Sequence, residues 1–297
     1  MKPESKCSVC IVGIFLSAFV LFFALAPARS KLAYSQVSQD VPHTYLGFDA
    51  NEYPGDAALF DLRQTFSFSG YWLNVPPGAK TNPWAGKRAV LLKHGFGFLV
   101  LFNGRLSNEL KPPVDANDLG VRDADLAVTA AEGEGFPAHA GIVIYLDIEE
   151  GGRMLPSQID YIKGWSGRVE SKGFLAGVYC SGIKVKESKG QTITTADDIH
   201  EQLSIIAYFV YNDECPPSPG CVYSKNPPPP SRSGFSGARV WQFAQSPRRR
   251  NFTSRCSATY SSDGNCYAAG AGPGHILLDL DSADSSDPST LVRQPIR

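Results

Sequence analysis

A chain of 297 residues with a formal net charge of -1 and 43% hydrophobic residues has apolar material enough for a large core and no bulk attraction to nucleic acid or anionic surfaces. Its 28 glycines and 22 prolines point to long loops between regular elements. Five scattered histidines, with no ligand spacing among them, give no metal signature.

The first residues read as a leader. Lys2 and Lys6 precede an apolar run from Cys10 to Ala26, and Ala26-Pro27-Ala28 supplies a small-residue cleavage site. Residues 1–28 are therefore expected to be a signal peptide, or an anchor if uncleaved. Either way the main domain lies outside the cytoplasm, secreted or at the periplasm or cell surface. Residues 29–43 form a linker. Cys215 with Cys221, and Cys256 with Cys266, enclose short polar loops and suit local disulfides in an oxidising compartment. No CxxC spacing supports zinc, and Cys180 is expected to be a buried thiol.

In chain order, residues 45–49 (YLGFD) form a first strand ending in an acid, and Pro54, Gly55 and Asp56 turn the chain into a helical stretch at 57–66. Residues 70–74 (GYWLN) form a second strand. A helix-like segment at 84–93 leads to a third strand at 96–102 (FGFLVLF), and good helix formers at 119–135 feed a fourth at 142–147. A helix from Pro156 to Ser171, a fifth strand at 174–179, a helix at 195–202 and a sixth strand at 204–210 follow. A proline-rich excursion at 212–237 precedes a seventh strand at 239–243 (RVWQF). After the second cysteine pair comes an eighth strand at 276–281 (ILLDLD), and a flexible tail at 286–297. Eight strands alternating with helices over roughly 240 residues fit one irregular (β/α)8 barrel at 44–285, with long disulfide-bearing loops in its second half. A doubly wound open sheet is the alternative, but no glycine-rich phosphate loop follows the first strand.

The stretch GIVIYLDIEE at 141–150 carries the chemistry. It is a buried strand running into Asp147 and Glu149, which alternation places on one face, at the end where barrel enzymes keep their active sites. The structural alternative is that these acids cap the next helix or pair with Arg153. Asp49 ends the first strand, and Asp279 and Asp281 end the eighth, so closing the barrel gathers carboxyl groups at one mouth. Clustered, partly desolvated acids hold a proton on one member while another stays ionised, as glycosidic cleavage requires. Such a cluster also suits a divalent cation, the competing reading. Tyr179, Trp241 and Tyr71 offer flat faces for a sugar, with Gln242 and Asp281 as polar contacts.

The order GFD, YLDIE, GVY, VWQF and LLDLD resembles glycoside hydrolase family 25, the lysozyme-type muramidases, and resembles still more their divergent bacterial glycoside-hydrolase-like relatives of unknown function. The resemblance spans nearly all of 45–284. It implies Glu149 as general acid, Asp147 as the carboxylate assisting acetamido attack, Asp49 on the first strand, and Asp279 or Asp281 on the last, with Asp279 preferred. It implies a polysaccharide or peptidoglycan-like partner, no cofactor and a monomer. A membrane partner is expected only with an uncleaved leader. A non-catalytic carbohydrate-binding domain on the same barrel is the second functional expectation.

Overall fold

The computed structural model describes residues 43–212, 227–245 and 278–291. The leader and Cys215, Cys221, Cys256 and Cys266 lie outside the described residues, so the expectations of a signal peptide and of two disulfides fall there too. Eight strands close into a barrel: β1 (Tyr45–Asp49), β2 (Phe68–Trp72), β3 (Gly97–Asn103), β4 (Val143–Ile148), β5 (Leu175–Ser181), β6 (Ala207–Tyr211), β7 (Val240–Ala244) and β8 (Asp279–Ala283). Helices α1 (Leu59–Arg63), α2 (Arg88–Lys93), α3 (Ala116–Gly133), α4 (Pro156–Ser171) and α5 (Thr195–Gln202) return the chain between parallel neighbours. This is an irregular TIM-type barrel, as expected, and the closed ring excludes the open doubly wound sheet.

The parallel strands β3 to β6 are almost wholly apolar because both faces are covered, one by the barrel interior and the other by helices. In β4, Val143, Tyr145 and Asp147 alternate with Ile144, Leu146 and Ile148, and all six residues are buried. The α4 boundaries agree with expectation because Pro156 opens the first turn, where its missing N–H costs nothing, and the Leu155 N–H is taken up by the Gln158 side chain at 2.8 Å.

The eighth strand departs from expectation. It pairs antiparallel with both β1 and β7, and Asp279 opens it rather than standing near its end. A parallel last strand requires the chain to cross back to the far end of the barrel first. Here β7 finishes and β8 begins at the same end, as Asp279 lies opposite Asp49. An apolar run in sequence carries no direction. Asp279 therefore reaches the mouth as a strand's first residue.

Residues 286–291, expected to belong to a frayed tail, are docked at the opposite end of the barrel. The β3–β4 ladder covers only Leu101–Asn103 against Tyr145–Asp147, which leaves backbone groups unpaired below it. The tail supplies their partners. The Phe98 N–H donates to Asp287 Oδ1 at 2.8 Å, the Val100 N–H to Ser289 Oγ at 2.7 Å, and the Val143 N–H to the Ser289 carbonyl at 2.7 Å.

Candidate active site at the barrel mouth

Inward-facing side chains at the C-terminal ends of the parallel strands build the site. From β1, Asp49 points inward because its neighbour across the sheet is Gly70; a Cβ there would stand 2.7 Å from the Asp49 Cβ. Asp49 Oδ2 accepts from Gln242 Nε2 at 2.7 Å, and Gln242 Oε1 accepts from the Tyr179 hydroxyl at 2.9 Å and from Gln245 Nε2 at 3.0 Å. Tyr179, Gln242 and Asp49 thus form one buried chain across three strands. Asp279 stands beside it, paired in register with Asp49. From β4, Asp147 is 5% exposed, whereas Glu149, just past the strand end, faces solvent. The Tyr211 hydroxyl holds the Glu149 backbone by donating to its carbonyl at 2.7 Å.

The acids feel one another. Burial first, then the charges of Glu149 and Asp49, push the Asp147 carboxyl well above the usual carboxylate range, and its Oδ1 has no hydrogen-bond partner. Burial also raises the Tyr179 phenol, with Asp49, Glu149, Asp147 and Asp279 all adding to the shift. In register, Asp147 lies beside Tyr179 on one wall and Asp279 beside Asp49 on the other. Deeper in the barrel, Asp281 is fully buried, with Gly47 and Gln242 as its register neighbours. Burial, then Asp49 and Asp279, raise it well above its ordinary value. Neither oxygen of Asp281 finds a hydrogen-bond partner, so this fully buried carboxyl favours its protonated form.

The structure brings Asp49, Asp147, Glu149, Asp279, Tyr179, Gln242 and Asp281 together. It does not bring Tyr71 or Trp241. On β2 the inward parity belongs to Phe68, Gly70 and Trp72, so Tyr71 lies on the outside of the wall, fully buried between Trp84, Phe98 and Phe136. Its hydroxyl donates to Glu134 Oε2 at 2.6 Å and accepts from the Arg88 N–H at 3.1 Å. Trp241 is 2% exposed, packs on Phe243, and donates to the Asn212 carbonyl at 2.9 Å. Adjacent strand residues face opposite ways, and Gln242 holds the inward position. Both aromatics pack the wall and offer no face to a sugar at the mouth.

Arg153 does not neutralise the D-x-E pair in the described contacts. Its guanidinium spans Glu187 at 2.7 Å and buried Asp198 at 2.7 Å. Cys180 is a free, buried thiol whose pKa burial pushes up, on the outward face of β5. Among the described residues, no group of three or more His, Cys, Asp or Glu is arranged to hold a metal ion.

Sequence reasoning missed two contributors. Tyr211 sets its ring 5.6 Å from Tyr179 at a tilt of 58°, and the alternation of Ala207, Phe209 and Tyr211 on β6 carries its signal. Arg105, just beyond β3, makes a forked pair with Asp123 of α3 at 2.8 and 3.0 Å, and Tyr161 of α4 donates to the same carboxylate at 2.8 Å. Nothing in the local sequence announces that contact. A cleft of about 610 Å³ opens from Asp147 and Glu149 across the ends of β2 and β3.

Residues 75–213, which include the D-x-E pair, match the model of the Rv2525c-like, glycoside hydrolase-like domain. That stretch, from just past β2 to just past β6, resembles a glycoside hydrolase-like domain. That agrees with the resemblance to divergent relatives of the family 25 lysozymes read from the motif order. No curated protein matches the chain. Among solved structures, an uncharacterized protein of B. stearothermophilus is similar at 16% identity and a TM-score of 0.50, covering 80% of this chain and 95% of that one. The likeness shows the fold alone. Two lytic proteins lie further off. The catalytic domain of endolysin Ply40, from bacteriophage P40 of Listeria monocytogenes, has 13% identity and a TM-score of 0.43, covering 82% and 95% of the two chains. The spore cortex-lytic enzyme SleL of Bacillus megaterium has 14% identity and a TM-score of 0.38, covering 58% and 42%.

Proposed function

We propose that this protein is an exported glycosidase that cleaves a glycosidic bond in a cell-envelope or N-acetylated polysaccharide, with Glu149 as general acid and Asp147 as the assisting carboxylate. The observation that carries the reading is the division of labour within one cluster. Glu149 faces the cleft, where a leaving oxygen can reach it, while Asp147 is buried behind it with an unpartnered oxygen. An acetamido N–H brought by the substrate gives that oxygen the donor it lacks. The same bond favours the ionised form of Asp147 and releases the proton it holds in the empty site. Ionised Asp147 then orients the acetamido group and stabilises positive charge at the anomeric carbon, as Glu149 protonates the leaving oxygen. Asp49, fixed by Gln242, forms the opposite wall with Asp279. Export rests on the leader pattern of Lys2, Lys6 and the apolar run to Ala26.

The test is reducing-sugar release from peptidoglycan and from chitin-type oligomers by the mature protein, beside Glu149→Gln. The variant is expected to lose on the order of 10²- to 10⁴-fold in rate, the usual contribution of a positioned acid, with its melting temperature unchanged. Undiminished release by the folded variant refutes the assignment. No release by either protein, with glycan binding intact, replaces the glycosidase by a carbohydrate-binding domain.

A further inference from the structure

The cleft that starts at Asp147 and Glu149 continues outward to α3, where Asp123, Leu126 and Ala130 recur at helical spacing on its lining face. Gly104 forms the saddle between the two parts. A Cβ at that position would stand 2.6 Å from the Asp147 carbonyl oxygen, so the floor beside the acid is bare backbone. Beyond the saddle the walls carry Val75, Leu106 and Leu126, which are 39%, 54% and 60% exposed. The polar groups of this outer leg are already engaged within the protein. Arg105 is held by Asp123 and Glu109, and Glu109 also accepts from the Leu106 N–H at 2.9 Å. The Asn74 side chain bonds the Asn103 backbone at 2.9 and 2.8 Å, and Asn103 Nδ2 donates to the Val75 carbonyl at 2.9 Å. What the leg has left to offer a ligand is aliphatic surface. A second sugar there would give up water at each hydroxyl and find few free partners, a cost that an alkyl chain does not incur.

We propose that the outer leg binds an apolar chain attached to the sugar at the acids, so that the cell-envelope glycan taken at this site is an amphiphilic, lipid-linked one. The proposal rests on the glycosidase reading only for placing a sugar beside Asp147 and Glu149. Leu106 and Leu126, both lining the leg, set the preference for the chain.

Calorimetric binding of methyl, butyl and octyl N-acetylglucosaminides, each below its micellar concentration, tests this with wild type and with Glu149→Gln. Affinity is expected to rise roughly fourfold for each buried methylene until the leg is filled. The double variant Leu106→Asn/Leu126→Asn is expected to flatten that rise, while Leu92→Asn, an exposed leucine on α2 away from the cleft, keeps it. Equal affinity across the series, no affinity for any member, or an unchanged slope in the double variant overturns the proposal. A chain-length slope without turnover by wild type removes the glycosidase reading and keeps this one; turnover indifferent to chain length does the reverse.

Discussion

Asp281→Asn is the substitution that most directly probes the proton held beneath the site. In the folded protein burial raises Asp281, and the same is true of Asp147; unfolding exposes both to water, where an aspartate titrates near about 3.9. Between that value and the raised folded value, the folded state binds more protons than the unfolded state. Stability is therefore greatest in mild acid and falls as pH rises, with a limiting slope of about 1.4 kcal/mol per pH unit for one group and about 2.7 for two. Asp56, Asp125 and Glu187 shift the other way, lowered first by hydrogen bonds from Tyr53, Arg168 and Arg153 respectively, and their contributions are lost at lower pH. Asparagine keeps the shape of Asp281 and carries no charge at any pH. Urea unfolding of both proteins from pH 4.5 to 7.5 is the assay. The two curves are expected to lie together at the acid end and to separate upward, by at most about 1.4 kcal/mol per pH unit, with the variant the more stable near neutrality. Asp284 is also raised, first by burial, and subtraction cancels both it and Asp147, which the two proteins share. Parallel curves, or a variant less stable than wild type at pH 7.5, would refute the buried proton on Asp281.

Tyr71→Phe removes the bonds to Glu134 and to the Arg88 N–H and is expected to cost about 1–3 kcal/mol in urea unfolding, with turnover per folded molecule unchanged. Lost turnover at full stability would return Tyr71 to the site. Ser289→Ala leaves the Val100 N–H unpartnered inside the sheet and is expected to lower stability by about 1–3 kcal/mol; an unshifted unfolding midpoint would mean the tail does not brace β3 against β4.

Much of the barrel is written locally. The α4 limits follow from Pro156, and α5 begins where Thr194 caps it by accepting from the Asp197 N–H. The strands follow from apolar runs broken by turn residues. The D-x-E spacing fixes, through alternation alone, that Asp147 and Glu149 share a face. Local pattern could not say which parity of β2 and β7 faces inward. Tyr71 and Trp241 read as well as Trp72 and Gln242 until the Asp49–Gln242 bond and the Gly70–Asp49 contact set the register.

The sequence by itself determined where the strands lie, and that carboxyl groups crowd their ends, because hydrophobic period and turn chemistry act over a few residues. Only tertiary structure decided the direction of β8, the burial that separates Asp147 from Glu149, and the docking of Asp287 and Ser289 beneath β3. Each depends on groups far apart in the chain competing for one place. Strand direction follows from where a connection ends, a carboxyl's protonation from how much water its neighbours exclude, and a tail's order from backbone donors that another strand leaves unpaired.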